Sequence, residues 1–247
     1  MRVIGVDACR RGWVAVSLEV SRLPHRAPRL VAVLMDGSLA SVLDSVLDGA
    51  DRDPARVVGI DMPLGLLESG WREADRVARG LLGPRRSSVF AIPPRAVWAE
   101  LSYPAANQLC RELTGQGFSV QAWGLRAKLL EANQYREACE HPMYEVHPEL
   151  AFAAMAGAPL AYSKHTAAGR ELRRELLARA GVVLPASSSG NVPGTWVAGC
   201  YGAAPVTDTL DAAAVAWSAG RIATGRAVIM PDQPQRDSQG RQITIRY

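Results

Sequence analysis

The residues in this sequence best suited to chemistry are five carboxylates. Asp7 closes the apolar run RVIGVD, Asp61 closes VVGID, Glu145 lies in MYEVHPE, and Asp208 and Asp211 stand three apart in DTLDA. If the runs ending in Asp7 and Asp61 are neighbouring parallel strands about 4.8 Å apart, both side chains open onto one crevice beyond the strand ends. Asp208 and Asp211, at helical spacing, share a face directed toward the helix N-terminus. Carboxylates gathered in this way repel one another unless a cation neutralises them. Hard oxygen donors with no Cys and little His select Mg²⁺ or Mn²⁺ over zinc. Two such ions about 3.5–4 Å apart activate a water and stabilise the leaving oxygen in phosphodiester hydrolysis. The expected site takes Asp7, Asp61, Glu145 and Asp211 as catalytic, with Asp208 completing the metal ligands. Three of the acids also have a structural reading: Asp208 as a helix N-cap, Asp61 closing a turn before Met-Pro, and Asp7 as a hairpin-turn residue before ACRRG.

The cations are unusual in kind. Of 28 basic residues only Lys128 and Lys164 are lysines, and the formal net charge is +4. PRRSSVFAIPPR, residues 84–95, places Arg85, Arg86 and Arg95 in a proline-stiffened segment that reads as a phosphate- or strand-binding arm, or as a braced, solvated loop. Arg72, Arg76 and Arg79 lie at helical spacing just before it, a stripe of the kind that is usually solvated. Lys164 and His165, in YSKHT ahead of a helix, suit an anionic substrate, as does Lys128. His147, between Glu145 and Glu149, could shuttle a proton or ligate a metal, although a hydrogen-bonded structural role is favoured. Trp98, Trp123 and Tyr103 could stack bases, with packing as the plainer reading.

These groups need elements to position them. Residues 2–7 and 12–20 read as two antiparallel strands, 29–35 as a third, and Leu39 to Leu47 as a helix with Ser38 at its N-cap. Val57 to Pro63 is a continuous apolar run, as in a strand covered on both faces. The order β-β-β-α-β is the first half of a ribonuclease H-like α/β domain, whose fourth strand pairs parallel to the first. From about 70 to 141 there is no convincing strand, only amphipathic segments at 71–82, 103–114 and 122–138, which read as a helical insertion. A strand at 143–149 and helices at 166–181 and 208–224 follow. The tail from about 231 to 247 is polar, with GRQITIRY a candidate edge strand. The expected fold class is therefore α/β, a mixed sheet of strand order 3-2-1-4-5 with a helical insertion between strands 4 and 5, in one domain over 1–247.

The motifs VIGVDACRRGWVAV, VVGIDMPLGL, LLGPRRSSVFAIPPR, GFSVQAWGLRAKLLEA, YEVHPELAFAAMAG, YSKHTAAGR and DTLDAAAVAWSA occur in that order from Arg2 to about Gly225. On them the chain resembles the predicted ribonuclease H-like nucleases gathered as domain of unknown function 429. The resemblance implies a ribonuclease H-like core with Asp7 and Asp61 as the strand acids and Glu145 as the acid after the insertion. DTLDA is similar to the paired acids in the last helix of Holliday-junction resolvases of the same superfamily, which carries metal-ligand roles onto Asp208 and Asp211.

A hydrophobic content of 48% with 21% charged residues excludes disordered and fibrous classes. Cys9, Cys110, Cys139 and Cys200 lack zinc or redox spacing and read as thiols of a reducing cytosol. No apolar run approaches a signal-peptide core or a membrane span, so a cytoplasmic protein without membrane contact is expected. The function expected first is a Mg²⁺- or Mn²⁺-dependent nuclease acting on nucleic acid or a small phosphodiester. Close behind is a non-catalytic binding module that keeps the fold. An actin-like ATPase or sugar-kinase relative, suggested by GVDACRRGW, would need a second half-domain and a second Gly-rich phosphate loop.

Overall fold

The computed structural model describes residues 1–23, 26–47, 57–139, 141–185 and 204–247. The serine-rich segment at 187–194 and Cys200 lie outside them. β1 (Arg2–Cys9) and β2 (Gly12–Glu19) form an antiparallel hairpin, and β3 (Arg29–Asp36) adds antiparallel to β2. The connection is tighter than the sequence suggests. β1 runs on to Cys9, which leaves Arg10 and Arg11 as a two-residue turn. Asp7 is therefore a strand residue opposite Val14, not a turn residue.

The Ser38 hydroxyl accepts from the Ser41 amide at 3.1 Å and caps α1 (Leu39–Leu47). β4 (Val57–Asp61) pairs parallel with β1, placing Asp61 opposite Asp7. Helices α2 (Glu73–Leu82), α3 (Tyr103–Thr114), α4 (Val120–Trp123) and α5 (Arg126–Ala138), with two short 3₁₀ turns at Gly83–Ser88 and Arg95–Ala99, connect β4 to β5 (Met143–Val146). The expected helix over 122–138 is thus divided at Gly124 and Leu125. The expected strand over 143–149 stops at Val146, because Pro148 takes the first position of α6 (Pro148–Ala156), where its missing amide costs nothing. α7 (Ala167–Arg179), α8 (Val206–Ala223), β6 (Ile229–Met230) and β7 (Ile245–Arg246) complete the chain.

The sheet order is β3-β2-β1-β4-β5-β7-β6. Its first five strands follow the ribonuclease H-like order 3-2-1-4-5. GRQITIRY supplies β7, which lies inside the sheet beside β5, while β6 takes the edge.

Strand alternation divides the sheet into two packed faces. Ile4, Val6, Val58 and Ile60 face α1 and the insertion, where Trp98, Phe118 and Trp123 pack together, so the aromatic residues there are core and not a base-stacking platform. Val3 and Val16 face α6, α7 and α8. Gly5 lies on the second face, and a Cβ there would stand 2.0 Å from the Ala216 amide nitrogen and 2.2 Å from the Ala212 carbonyl oxygen. A glycine in the strand and alanines along the helix let α8 lie backbone to backbone on β1. That contact carries the acids of α8 to the end of β1.

Candidate active site

Asp7 shares the parity of Val3 and Gly5, and Asp61 that of Gly59, so both carboxylates lie on the α8 side of the sheet. Asp7 is buried, at 6% exposure, and Asp61 stands beside it on the neighbouring strand. Burial first, then the charges of Asp61 and Asp211, push Asp7 well above the usual carboxylate range. Burial also raises Asp61, opposed by His147 and Lys164.

α8 begins after Pro205, so Asp208 lies in its first turn and is not the N-cap; its carboxylate accepts from the Thr207 hydroxyl at 3.1 Å. One turn further, Asp211 is almost fully enclosed. Its Oδ2 accepts from Lys164 Nζ at 2.5 Å, whereas its Oδ1 is buried without a partner. Burial lifts Asp211 to about 6, against the opposing pull of Lys164. Burial disfavours the charge of Lys164, but Asp211, Asp7 and Asp61 outweigh that effect and raise its pKa. The lysine therefore supplies positive charge within the acid cluster.

Glu145 is oriented differently. The register pairs it with Ile60, which places it on the insertion face, opposite to Asp7 and Asp61. Its Oε2 accepts from Arg72 Nη2 at 2.5 Å and from the Leu64 amide at 2.7 Å, and burial raises it to about 7 despite the guanidinium. Arg72, expected on a solvated stripe, is fully buried between Glu145 and Asp75. Glu149, in the first turn of α6, stands nearer the α8 acids and disfavours the charge of both Asp61 and Asp211. Its Oε1 accepts from the buried Arg173 at 2.5 Å, and its Oε2 has no partner. A strand-end reading of EVHPE hid Glu149; the signal that reveals it is Pro148 as a helix start.

Two adjoining cavities open here. One, of about 360 Å³, is lined by Asp61, Arg85, Ser87, Ser88, His147, Glu149, Lys164, His165 and Asp211 among others. The second, of about 190 Å³, is lined by Asp7, Asp61, Glu145, His147 and Lys164 among others. His147 Nε2 lies 3.1 Å from the Ser88 carbonyl oxygen, which can only accept, so the neutral ring keeps Nδ1 as its acceptor, and that atom has no partner.

The cations expected to hold substrate divide into two groups. Lys164, His165 and Arg85 reach the cavity, although Arg85 spends its donors on the carbonyls of Leu160 (2.9 Å) and Ala161. The other three do not line either cavity. Arg86 is exposed on the 3₁₀ turn, Arg95 pairs with Glu68 at 3.2 Å, and Lys128 lies over the Trp13 ring at 4.7 Å.

A family model described as a protein of unknown function, DUF429, matches residues 5–236. The chain belongs to the DUF429 family. The match takes in Asp7, Asp61, Glu145, Lys164, Asp208 and Asp211 of this DUF429 chain, but the description assigns none of them a role. A solved structure of RuvC from Thermus thermophilus is similar at 15% identity and a TM-score of 0.39, with 92% of this chain and 98% of that chain covered. That likeness is weak, and the topology of the DUF429 chain stands on its own strand pairing. No curated protein matches the sequence. No helix among the described residues is long and apolar enough to cross a membrane.

Among the described residues, no three His, Cys, Asp or Glu side chains are grouped so as to hold a metal ion as they stand. The donor chemistry nonetheless suits a hard divalent cation: several carboxylates, with Asp211 Oδ1 and Glu149 Oε2 buried and unpartnered. The lysine on Asp211 is the group such an ion would have to replace.

Proposed function

We propose that this protein is a nuclease that cleaves phosphodiester bonds with the help of Mg²⁺ or Mn²⁺. The observation that carries the reading is the convergence of Asp7, Asp61 and Asp211 from two parallel strands and the first turns of α8, with Asp61 and Asp211 both raising the charging cost of Asp7 and Asp61 also raising that of Asp211. Asp7, Asp61 and Asp211 would hold the ion, with Asp208 beside them. When bound, it supplies charge to the phosphoryl oxygens and lowers the pKa of a water. Lys164, released from Asp211, would pair with a non-bridging phosphate oxygen, and the 3₁₀ turn presents Ser87, Ser88 and the remaining Nη1 of Arg85 to the neighbouring backbone. His147 can accept a proton at Nδ1 while Ser88 fixes its ring. Glu145, tied to Arg72 and Leu64, anchors the insertion to the sheet.

A panel of single-stranded, double-stranded and branched DNA and RNA, incubated with Mg²⁺ or Mn²⁺, tests this. Cleavage should fall at least about 100-fold in Asp7→Asn. Undiminished cleavage in that variant would sink the assignment.

A second reading has its own observation. The lysine already compensates the acids, so the fold could serve as a binding module with no metal. Failure of both the wild type and Lys164→Gln to bind Mn²⁺ would select it.

A further inference from the structure

The far end of α8 holds a different kind of cavity. It encloses about 310 Å³ and is lined by Arg26, Arg179, Arg221 and Arg226, with no Asp or Glu among its lining residues. Arg179 and Arg221 occupy the last turns of α7 and α8, where the helix dipole favours cations. That explanation does not reach Arg26 or Arg226, which belong to loops.

Two of the four guanidinium groups are held in place, and none of the four forms an ion pair among the described residues, with Glu19 acting on Arg26 only through its charge. Arg221 stacks over the Trp217 ring at 4.9 Å, and its Nη2 donates to the Arg226 carbonyl at 2.7 Å. Its Nε is buried without any partner. Arg226 Nε donates to the Thr224 hydroxyl at 3.0 Å, which fixes the second guanidinium beside the first. Burial, then the proximity of Arg226, lowers the pKa of Arg221, against a smaller opposing pull from Tyr247. The backbone builds the opposite wall. Gly181 follows α7 with φ of 85°, and a Cβ there would stand 2.9 Å from Pro28 Cδ and 3.0 Å from Ala27 Cβ. Only glycine lets the segment leading into β3 close over the helix end.

We propose that this cavity binds a small phosphorylated ligand of the nucleoside diphosphate class, its phosphates held by the four arginines and its organic part by Trp217, Leu18, Val20 and Pro28. Two adjacent phosphates match several clustered guanidinium groups better than a single carboxylate does. The volume lies within the range of small-ligand sites. The site is independent of the acid cluster: ten residues of helix separate Asp211 from Arg221, a rise of about 15 Å.

Calorimetric titration of the full chain with ADP, pyrophosphate and adenosine, in EDTA so that no metal bridges a nucleotide to the acids, tests the proposal. ADP should bind with a dissociation constant below about 100 µM, pyrophosphate more weakly, and adenosine not measurably. Arg221→Ala and Arg179→Glu should each weaken ADP at least about tenfold, while Arg86→Ala, outside the cavity, should leave it unchanged. Arg179 is at the end of a surface helix, so its variant reports even if Arg221→Ala does not fold. The proposal is overturned if ADP and pyrophosphate both fail to bind, if Arg86→Ala weakens ADP as much as Arg179→Glu does, or if only an oligonucleotide binds in an Arg179-dependent way.

Discussion

The two ends of α8 carry opposite charge and resolve it differently. At the N-terminal end, Asp208 and Asp211 meet Asp7, Asp61 and Glu149, and the chain supplies its own cations in Lys164 and Arg173. At the C-terminal end, four arginines surround a cavity with no Asp or Glu among its described lining residues. The macrodipole favours both placements, so the helix alone does not explain the difference. An acid cluster closed by a lysine is stable at rest and must exchange that lysine to take up an ion. An arginine cluster left open is ready for an anion supplied from outside.

Because both ends depend on the docking of α8, the most severe way to break the comparison is Gly5→Ala. The new methyl would meet helix backbone, which cannot rotate away, and we expect a loss of about 3 kcal/mol or more in urea denaturation, with both ends affected together. A loss below about 1 kcal/mol would show that α8 can shift on β1.

The acid end alone is probed by pH. Asp211 titrates near 6 in the folded protein against 3.8 ordinarily, so between those values the folded state binds more protons than the unfolded one. Stability present at pH 4 is therefore lost as the pH rises toward 6, and Asp211→Asn should flatten that slope by up to about one proton, or 1.4 kcal/mol per pH unit. Unfolding free energies measured across pH 4–7 without divalent metal check this, and an unchanged slope would count against a strained acid cluster.

Lys164→Gln removes the internal cation. Its side chain is 35% exposed, so the expected loss is roughly 1–2 kcal/mol and not the 3–5 of a fully buried pair. Added Mn²⁺ should recover that loss and bind about tenfold more tightly than to the wild type, as read by thermal midpoint and by electron paramagnetic resonance of free Mn²⁺. The smallest effect belongs to the arginine end. Arg179→Glu places an acid among the cations and should raise the thermal midpoint slightly, by well under 1 kcal/mol of stability, while ADP binding is lost.

Much of the arrangement was legible because it rests on local rules. Asp7 and Asp61 end apolar runs, and parallel pairing of those runs brings them together. Ser38 before a helical repeat is a cap, and DTLDA at a helix start places two acids on one turn. Glu145 shows where such reading ends. Its sequence context is as suggestive as that of Asp61, yet register against Ile60 turns it to the other face, and register depends on a strand more than 80 residues away. Arg72 and Arg173 resemble surface cations in sequence and are buried against Glu145 and Glu149, because the partner that makes burial tolerable comes from another element.

The sequence by itself determined the strand and helix periods, the acids at strand ends, and membership of a family through ordered motifs, since each depends on neighbours within a turn or a strand. Tertiary structure alone decided that Lys164 would lie on Asp211, that Glu149 and not Glu145 would line a cavity with Asp211, and that four arginines separated by up to 200 positions would share one cavity. Charges interact through space over a few ångströms, and only the packing of α8 across the sheet sets which of them come that near.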